Sequence, residues 1–205
     1  YSIPSWIKYV NDNIEYVYEK ESRNSNLSET DRNLLLVSSK VKYTNLYQLK
    51  RCIPYYYYRI LKEMYRESDV KKTLPTMEGA TTLTFHLKKI GYKIVIITKR
   101  DQTRSSKITY EWLLGNNIPF DEVIFSPNKH IEILTRFPEM LFMIEDNREI
   151  ANIVAKWGYR VFLINNEYNQ GHILESVVRV DNMKELYSLF YNSFIRSKQE
   201  LTSSM

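Results

Sequence analysis

Three polar anchors each follow closely on a short apolar run. Thr98 follows Lys93-Ile94-Val95-Ile96-Ile97, Lys129 comes soon after Val123-Ile124-Phe125, and Glu145-Asp146 follow Met140-Leu141-Phe142-Met143-Ile144. Each run reads as a strand of a parallel α/β sheet, and such sheets bind ligands at the carboxyl ends of their strands. A hydroxyl, an ammonium and a carboxylate would then share one rim, a set that suits a phosphate ester with a divalent metal. Each anchor also has a plainer reading. A strand-end Thr can close a turn, a Lys at a helix start usually sits in water, and Asp146 would cap a helix beginning at Asn147-Arg148-Glu149.

The elements that must position these residues are legible from residue 76 onward, where helix and strand patterns alternate. A helix over 78–90, with Leu83, Leu87 and Ile90 on one face, ends at Gly91. Strands are expected at 93–97, 122–125, 140–144, 160–164 and 177–180. Helices are expected at 105–114, 129–136, 148–157 and 182–197. Strands separated by single helices imply βαβ units and a parallel sheet. Residues 1 to about 75 read differently, with no convincing strand. Trp6, Ile7, Val10, Ile14 and Val17 fall at helical spacing over 5–18. Ser22 to Asn26 form a polar break, and Ser28 with Asp31 resembles a capping signal, with Thr30 as a second candidate. Residues 44–67 form one long helix or two interrupted near Pro54. The expected fold class is therefore α/β, with a parallel-sheet, Rossmannoid core at 76–197, a helical cap at 1–75 and a frayed tail at 198–205.

Composition bounds the class. The chain has 205 residues, 43% hydrophobic and 26% charged, as expected of a soluble globular protein. Its longest apolar runs, such as Ile94-Val95-Ile96-Ile97, are far too short to span a bilayer. The first residues, Tyr1 to Trp6, lack the basic and apolar regions of a signal peptide. The lone Cys52 cannot pair internally, which fits a reducing, cytosolic compartment, and is read as a buried or half-buried structural thiol. A net charge of +5 favours anionic ligands in general. The densest basic patch is Lys40, Lys42, Lys50 and Arg51, followed by Tyr55 to Tyr58 and Arg59. Such a patch can stack single strands, but the preferred reading is a helix with Tyr on its packed side. His86, His130 and His172 lack metal-ligand spacing, and Glu111 and Asp121 have no evident partner.

The stretch from Leu74 to Leu189 resembles the haloacid dehalogenase-like (HAD) superfamily of phosphohydrolases. It is most similar to the 5′-nucleotidase and 5′(3′)-deoxyribonucleotidase branch. The residues that carry the resemblance are Leu74-Pro75, Gly79-Ala80, Leu87-Lys88-Lys89-Ile90-Gly91-Tyr92, Ile96-Ile97-Thr98-Lys99-Arg100, Trp112-Leu113, Asn117-Ile118-Pro119-Phe120-Asp121, Lys129, Phe142-Met143-Ile144-Glu145-Asp146-Asn147-Arg148 and Gly158 to Ile164. Tyr168-Asn169 and Arg179-Val180-Asp181-Asn182 complete it. The resemblance makes Thr98 the second motif, with its hydroxyl on a phosphoryl oxygen and Lys99 and Arg100 adding charge. Lys129 becomes the third motif, stabilising nucleophile and phosphate, with Lys107 a lesser alternative. Asp146 becomes the ligand of a Mg²⁺ cofactor, aided or oriented by Glu145. Family enzymes often carry two Asp there, so Glu145 is a mild departure.

The family's first motif, Asp-x-Asp on the first strand, is absent from this chain. In that branch the strand leads into a cap helix that Ile3 to Asn11 resembles, so the expected nucleophile lies upstream of residue 1. The family's strand order would place it between the strands ending at Thr98 and Ile144. Without it, two facing edges would lie about 10 Å apart, twice the usual ~4.8 Å; either the sequence is a piece of a longer protein, the preferred reading, or another segment fills the slot, or the fold is rearranged and inactive. The expected function is a Mg²⁺-dependent phosphatase acting on a small phosphate ester, a nucleoside monophosphate foremost, through an aspartyl-phosphate. The chain alone would be inactive. Two alternatives stand beside it. One is a non-catalytic HAD-like protein that binds nucleotide or nucleic acid through Lys50, Arg51, Tyr55 to Tyr58 and Arg59. The other is a 3′-phosphatase on nucleic-acid ends. Nucleic acid is the less favoured partner, and none of the readings involves a membrane.

Overall fold

Parallel pairing governs every strand that the computed structural model contains; it describes residues 3–23 and 27–192. Strand β1 (Val95–Thr98) pairs with β2 (Glu122–Phe125), Val95 opposite Glu122 and Thr98 opposite Phe125. Strand β3 (Phe142–Glu145) pairs with β4 (Arg160–Ile164), which pairs with β5 (Val177–Val180). The result is an α/β protein with two small parallel sheets, ordered β1-β2 and β3-β4-β5. Among the described residues nothing pairs with the second edge of β1 or of β3.

Burial along the strands reflects this. β4 is flanked on both sides, and Val161, Phe162, Leu163 and Ile164 are all buried. Val95, Ile96 and Ile97 of β1 and Phe142, Met143 and Ile144 of β3 are as apolar, yet stay partly exposed. The packed layers nevertheless continue across the break. On one face Ile97 and Met143 pack against a core of Ile133, Ala151, Val154, Val161 and Leu163. On the other, Ile94 and Ile144 pack against Leu83, Leu87, Phe162, Ile164 and Leu186. Alternate residues of β4 feed the two faces, as the period of two requires.

The chain divides into two compact units, Tyr1–Leu74 with Thr103–Trp112, and Pro75–Gln102 with Leu113–Met205. The first contains helices α1 (Ile3–Glu21), α2 (Glu29–Ser39), α3 (Leu46–Cys52) and α4 (Tyr55–Glu67). Trp6, Val10, Ile14 and Val17 of α1 are buried with Leu35, Leu49, Leu61 and Tyr65. Ser28 caps α2, accepting from the Asp31 N–H at 3.1 Å and donating to the Asp31 carboxylate at 2.6 Å. Thr30 lies inside that helix rather than at its cap. Pro54 separates α3 from α4, so the 44–67 stretch is two helices. Cys52 is exposed, not buried: it is the last residue of α3, one turn past the buried Leu49, where the helix ends.

The second unit carries helix α5 (Ala80–Lys89), the ends of α6 (Gln102–Gly115), α7 (Lys129–Arg136) and α8 (Arg148–Lys156). A final helix is described over 183–192; the remainder of the expected 182–197 helix and the 198–205 tail lie outside the described residues. Asp121, without an evident partner in the sequence, holds the start of the first sheet. Its carboxylate accepts from the Ile94 N–H and from the Lys88 ammonium, each at 2.6 Å. Glu111 likewise pairs with Lys72 at 3.2 Å. The Lys88 bond, then the Ile94 bond, hold the Asp121 carboxyl below its usual range. Its contribution is therefore present above the unfolded value of about 3.9 and lost as pH falls through the folded value. Asp121→Asn is expected to lower the unfolding free energy by about 1 kcal/mol at neutral pH. Urea titrations over a pH series test this: a deficit that persists undiminished to about pH 2 would refute the assignment.

Candidate functional site

Because all strands are parallel, their carboxyl ends lie at Thr98, Phe125 and Glu145 on one side of each sheet. Thr98 is the last residue of β1. Its carbonyl accepts from the Ser126 N–H at 2.9 Å and its hydroxyl from the Arg100 N–H at 3.3 Å. This is a strand-end turn, and accepting that bond leaves the hydroxyl its own proton to donate. Lys99 is exposed and Arg100 half-buried beside it.

Lys129 is the first residue of α7, delivered there by the short Ser126-Pro127-Asn128 turn after β2. Its ammonium lies 2.9 Å from the Glu145 carboxylate. Only 18% of the Lys129 side chain and 2% of the Glu145 side chain are exposed. The other Glu145 oxygen accepts from the N–H groups of Asp146 and Asn147, both at 3.0 Å. Glu145 is thus spent on Lys129 and on the turn into α8. Asn147, not Asp146, caps α8, accepting from the Ile150 N–H at 3.0 Å. Asp146 is left to project its carboxylate. Lys107, the lesser alternative, lies on α6 and is 3.9 Å from Glu111.

The 3-10 turn Glu167–Asn169 after β4 meets Asp146 from the side. The Tyr168 hydroxyl donates to the Asp146 carboxylate at 2.7 Å. Asn169, buried, donates its amide to the carbonyls of Asp146 (2.8 Å) and Ile164 (2.7 Å). Arg179 of β5 in turn donates to the Asn169 side-chain oxygen at 3.0 Å and to its carbonyl at 2.8 Å. These three residues stand in the sequence only as parts of a family-like stretch. Their place beside Asp146 comes from contacts 22 residues away for Tyr168 and 23 for Asn169, which Arg179 holds in turn, and no local pattern announces them.

The charges are unequally held. Burial pushes the Glu145 carboxyl above its ordinary range and the neighbouring Asp146 adds to this, more than Lys129 offsets. Burial pushes Asp146 the same way, but its bonds to Glu145 and Tyr168 and the Lys129 charge outweigh it and hold Asp146 below the usual range. Burial and the Asp146 bond both raise the Tyr168 hydroxyl. Asp146 is thus the carboxylate kept ionised at the rim. Among the described residues no group of three or more His, Cys, Asp or Glu could cage a metal. Asp146, with Glu145 beside it, is the carboxylate at this rim that could ligate a hard cation such as Mg²⁺, which takes one or two carboxylates and otherwise water and phosphate oxygens. The structure joins Lys129, Glu145 and Asp146 in direct contact, while Thr98 belongs to the same rim through its strand end alone.

No protein-family model matches the chain. Two curated proteins do. The first is a nucleotidase of Clostridium acetobutylicum, 26% identical over 143 residues, covering 70% of this chain and 68% of that protein. The second is YqfW of Bacillus subtilis, provisionally named a nucleotidase. It is 32% identical over 108 residues, covering 52% of this chain and 55% of its own length. The chain is similar to nucleotidases. It spans little more than half of one of these relatives and about two thirds of the other. Among the described residues no helix is long and apolar enough to cross a membrane.

Proposed function

We propose that this chain forms the cap and most of the core of an HAD-like phosphohydrolase acting on nucleoside monophosphates. The observation that carries the reading is the Lys129–Glu145–Asp146 cluster at the carboxyl ends of parallel strands, in a chain similar to nucleotidases. Phosphoryl transfer needs chiefly positioning and stabilisation of charge. Thr98 would donate its hydroxyl to a phosphoryl oxygen, with Lys99 and Arg100 adding charge beside it. Lys129, fixed by Glu145, would place a cation against nucleophile and phosphate. Asp146, held by Tyr168 and Asn169, would hold Mg²⁺, which when bound neutralises charge on the phosphoryl oxygens. The attacking carboxylate belongs, in this reading, to an Asp-x-Asp strand seated between β1 and β3, whose part-exposed apolar edges it would cover. A cytoplasmic setting fits the free thiol of Cys52.

The test is release of inorganic phosphate from a panel of nucleoside 5′- and 3′-monophosphates and sugar phosphates, with Mg²⁺. The chain by itself is expected to be inert. The chain joined at its amino end to a strand bearing Asp-x-Asp is expected to turn over 5′-monophosphates, and changing the first of those Asp to Asn to abolish turnover. A joined protein that is folded yet inactive across the panel would sink the proposal.

A further inference from the structure

The chain's positive charge has a single origin. From Arg32 to Lys62 there are seven basic residues and no Asp or Glu, whereas the other 174 residues hold 22 basic against 24 acidic. The net charge of +5 therefore comes from this stretch, which supplies most of α2, all of α3 and the start of α4 in the first unit. Lys50 and Arg51 on α3 and Arg59 on α4 are exposed. So are three tyrosines among them: Tyr47 is 70%, Tyr55 75% and Tyr56 55% exposed.

Packing does not explain these rings. The core of the unit takes Tyr57, which is buried, and Tyr58, half-buried with its ring edge-on to Trp6 at 5.7 Å. Leu49 of α3, Leu61 and Tyr65 of α4, and Ile53 between the two helices are buried with them. Tyr47 shares the outward side of α3 with Lys50 and Arg51, three and four residues on, and the Arg51 guanidinium reaches the Tyr47 hydroxyl at 3.4 Å. Tyr55 and Tyr56 share the outward side of α4 with Arg59 in the same spacing. Each helix thus presents open aromatic faces beside cations; α3 carries no acidic residue, and Glu63 of α4, one turn past Arg59, is paired with Arg66 at 2.5 Å.

We propose that this solvent-facing side of α3 and α4 binds single-stranded nucleic acid, the cations following the phosphates and the tyrosines stacking bases. Stacking rings interleaved with basic side chains hold single strands without reading sequence, because every base has a π-face. A duplex hides those faces, so the preference for single strands follows from the exposed rings. The surface is independent of the phosphate rim and of the function proposed for it.

Fluorescence anisotropy of the full chain with a labelled twenty-nucleotide oligothymidylate decides the matter. Binding is expected at 50 mM salt and should weaken about fiftyfold by 200 mM, as roughly four phosphate contacts on a single strand imply. Tyr55→Ala and Tyr56→Ala should each weaken it about tenfold, and Lys50→Glu with Arg51→Glu should remove it. All four positions are exposed, so the variants are expected to fold, which circular dichroism checks. No binding at 50 mM salt overturns the proposal. So does equal binding of duplex or inorganic polyphosphate with no effect of the tyrosine changes, which would mark simple polyanion attraction. Tighter binding to vesicles with 30% phosphatidylserine than to the oligonucleotide would also overturn it, assigning the surface to a membrane.

Discussion

Lys129→Ala is expected to lower the unfolding free energy by about 3–5 kcal/mol at neutral pH, the usual result of removing one partner from a buried ion pair. The cost arises from what remains. Glu145 is almost wholly buried, and without the ammonium at 2.9 Å its charge would keep only the two backbone N–H groups of the α8 turn. Two further results identify the cause. Glu145→Gln combined with Lys129→Ala should recover much of the loss, since a neutral amide needs no counter-charge. The loss should also shrink as pH falls. The Glu145 carboxyl already lies above its ordinary range through burial, so the folded state takes up its proton before the unfolded state does, and the uncompensated charge disappears. Urea unfolding of both variants across a pH series measures all three. A loss under about 1 kcal/mol, or one unaffected by the second substitution, would mean that the pair does not hold the rim.

Gly79→Ala should be nearly as damaging, at about 2–4 kcal/mol, for a purely geometric reason. Gly79 precedes α5 with φ +81°, a left-handed conformation that costs a residue with a Cβ roughly 1–2 kcal/mol. An added Cβ would also meet the Lys184 backbone nitrogen at 2.3 Å and its Cα at 2.5 Å. Backbone cannot turn aside as a side chain can. The neighbouring Glu78 carbonyl accepts from that same Lys184 N–H at 3.0 Å, so relieving the clash pulls the 183–192 helix from its seat. Gly91→Ala is the matched comparison: φ is +93°, with nothing within 4 Å of the new carbon. It should show the conformational cost alone. Equal losses at the two positions, read from thermal or urea unfolding, would show that the approach to Lys184 contributes nothing.

Much of the fold is legible in the amino-acid sequence. The strands at 122–125, 160–164 and 177–180 and the helix at 129–136 are found at the expected residues. β1 runs from 95 to 98 instead of 93 to 97, because the Ile94 N–H is taken by the Asp121 side chain and does not enter the ladder. β3 starts two residues later than its apolar run, since Met140 closes a turn on Phe137 and Leu141 faces solvent. It then continues through Glu145, which keeps its register opposite Leu163. A polar residue hardly signals strand, yet here its side chain folds back to bind Lys129. The rim is partly legible for the same reason: Lys129, Glu145 and Asp146 lie next to recognisable strand ends. Tyr168 and Arg179 also lie near or in recognisable strands, but their partners do not show in the sequence: the crossover through α8 and β4 carries Tyr168 and Asn169 to Asp146, and β5 carries Arg179 to Asn169. The four consecutive tyrosines at 55–58 look alike in sequence and divide by helix phase, two outward and two inward.

The edges of β1 and β3 that no described residue pairs have a consequence beyond the proposed function. Natural proteins protect free strand edges with lysines, prolines, bulges or a covering loop, because an open row of amide groups invites another chain to extend the sheet. Val95-Ile96-Ile97 and Phe142-Met143-Ile144 carry none of those charges or prolines. Short, apolar, uncharged and, but for Met143, β-branched or aromatic, they have the composition that favours self-association. A form of this protein in which they stay uncovered has its solubility set by two short stretches of backbone, and whatever segment covers them acts also as its guard against aggregation.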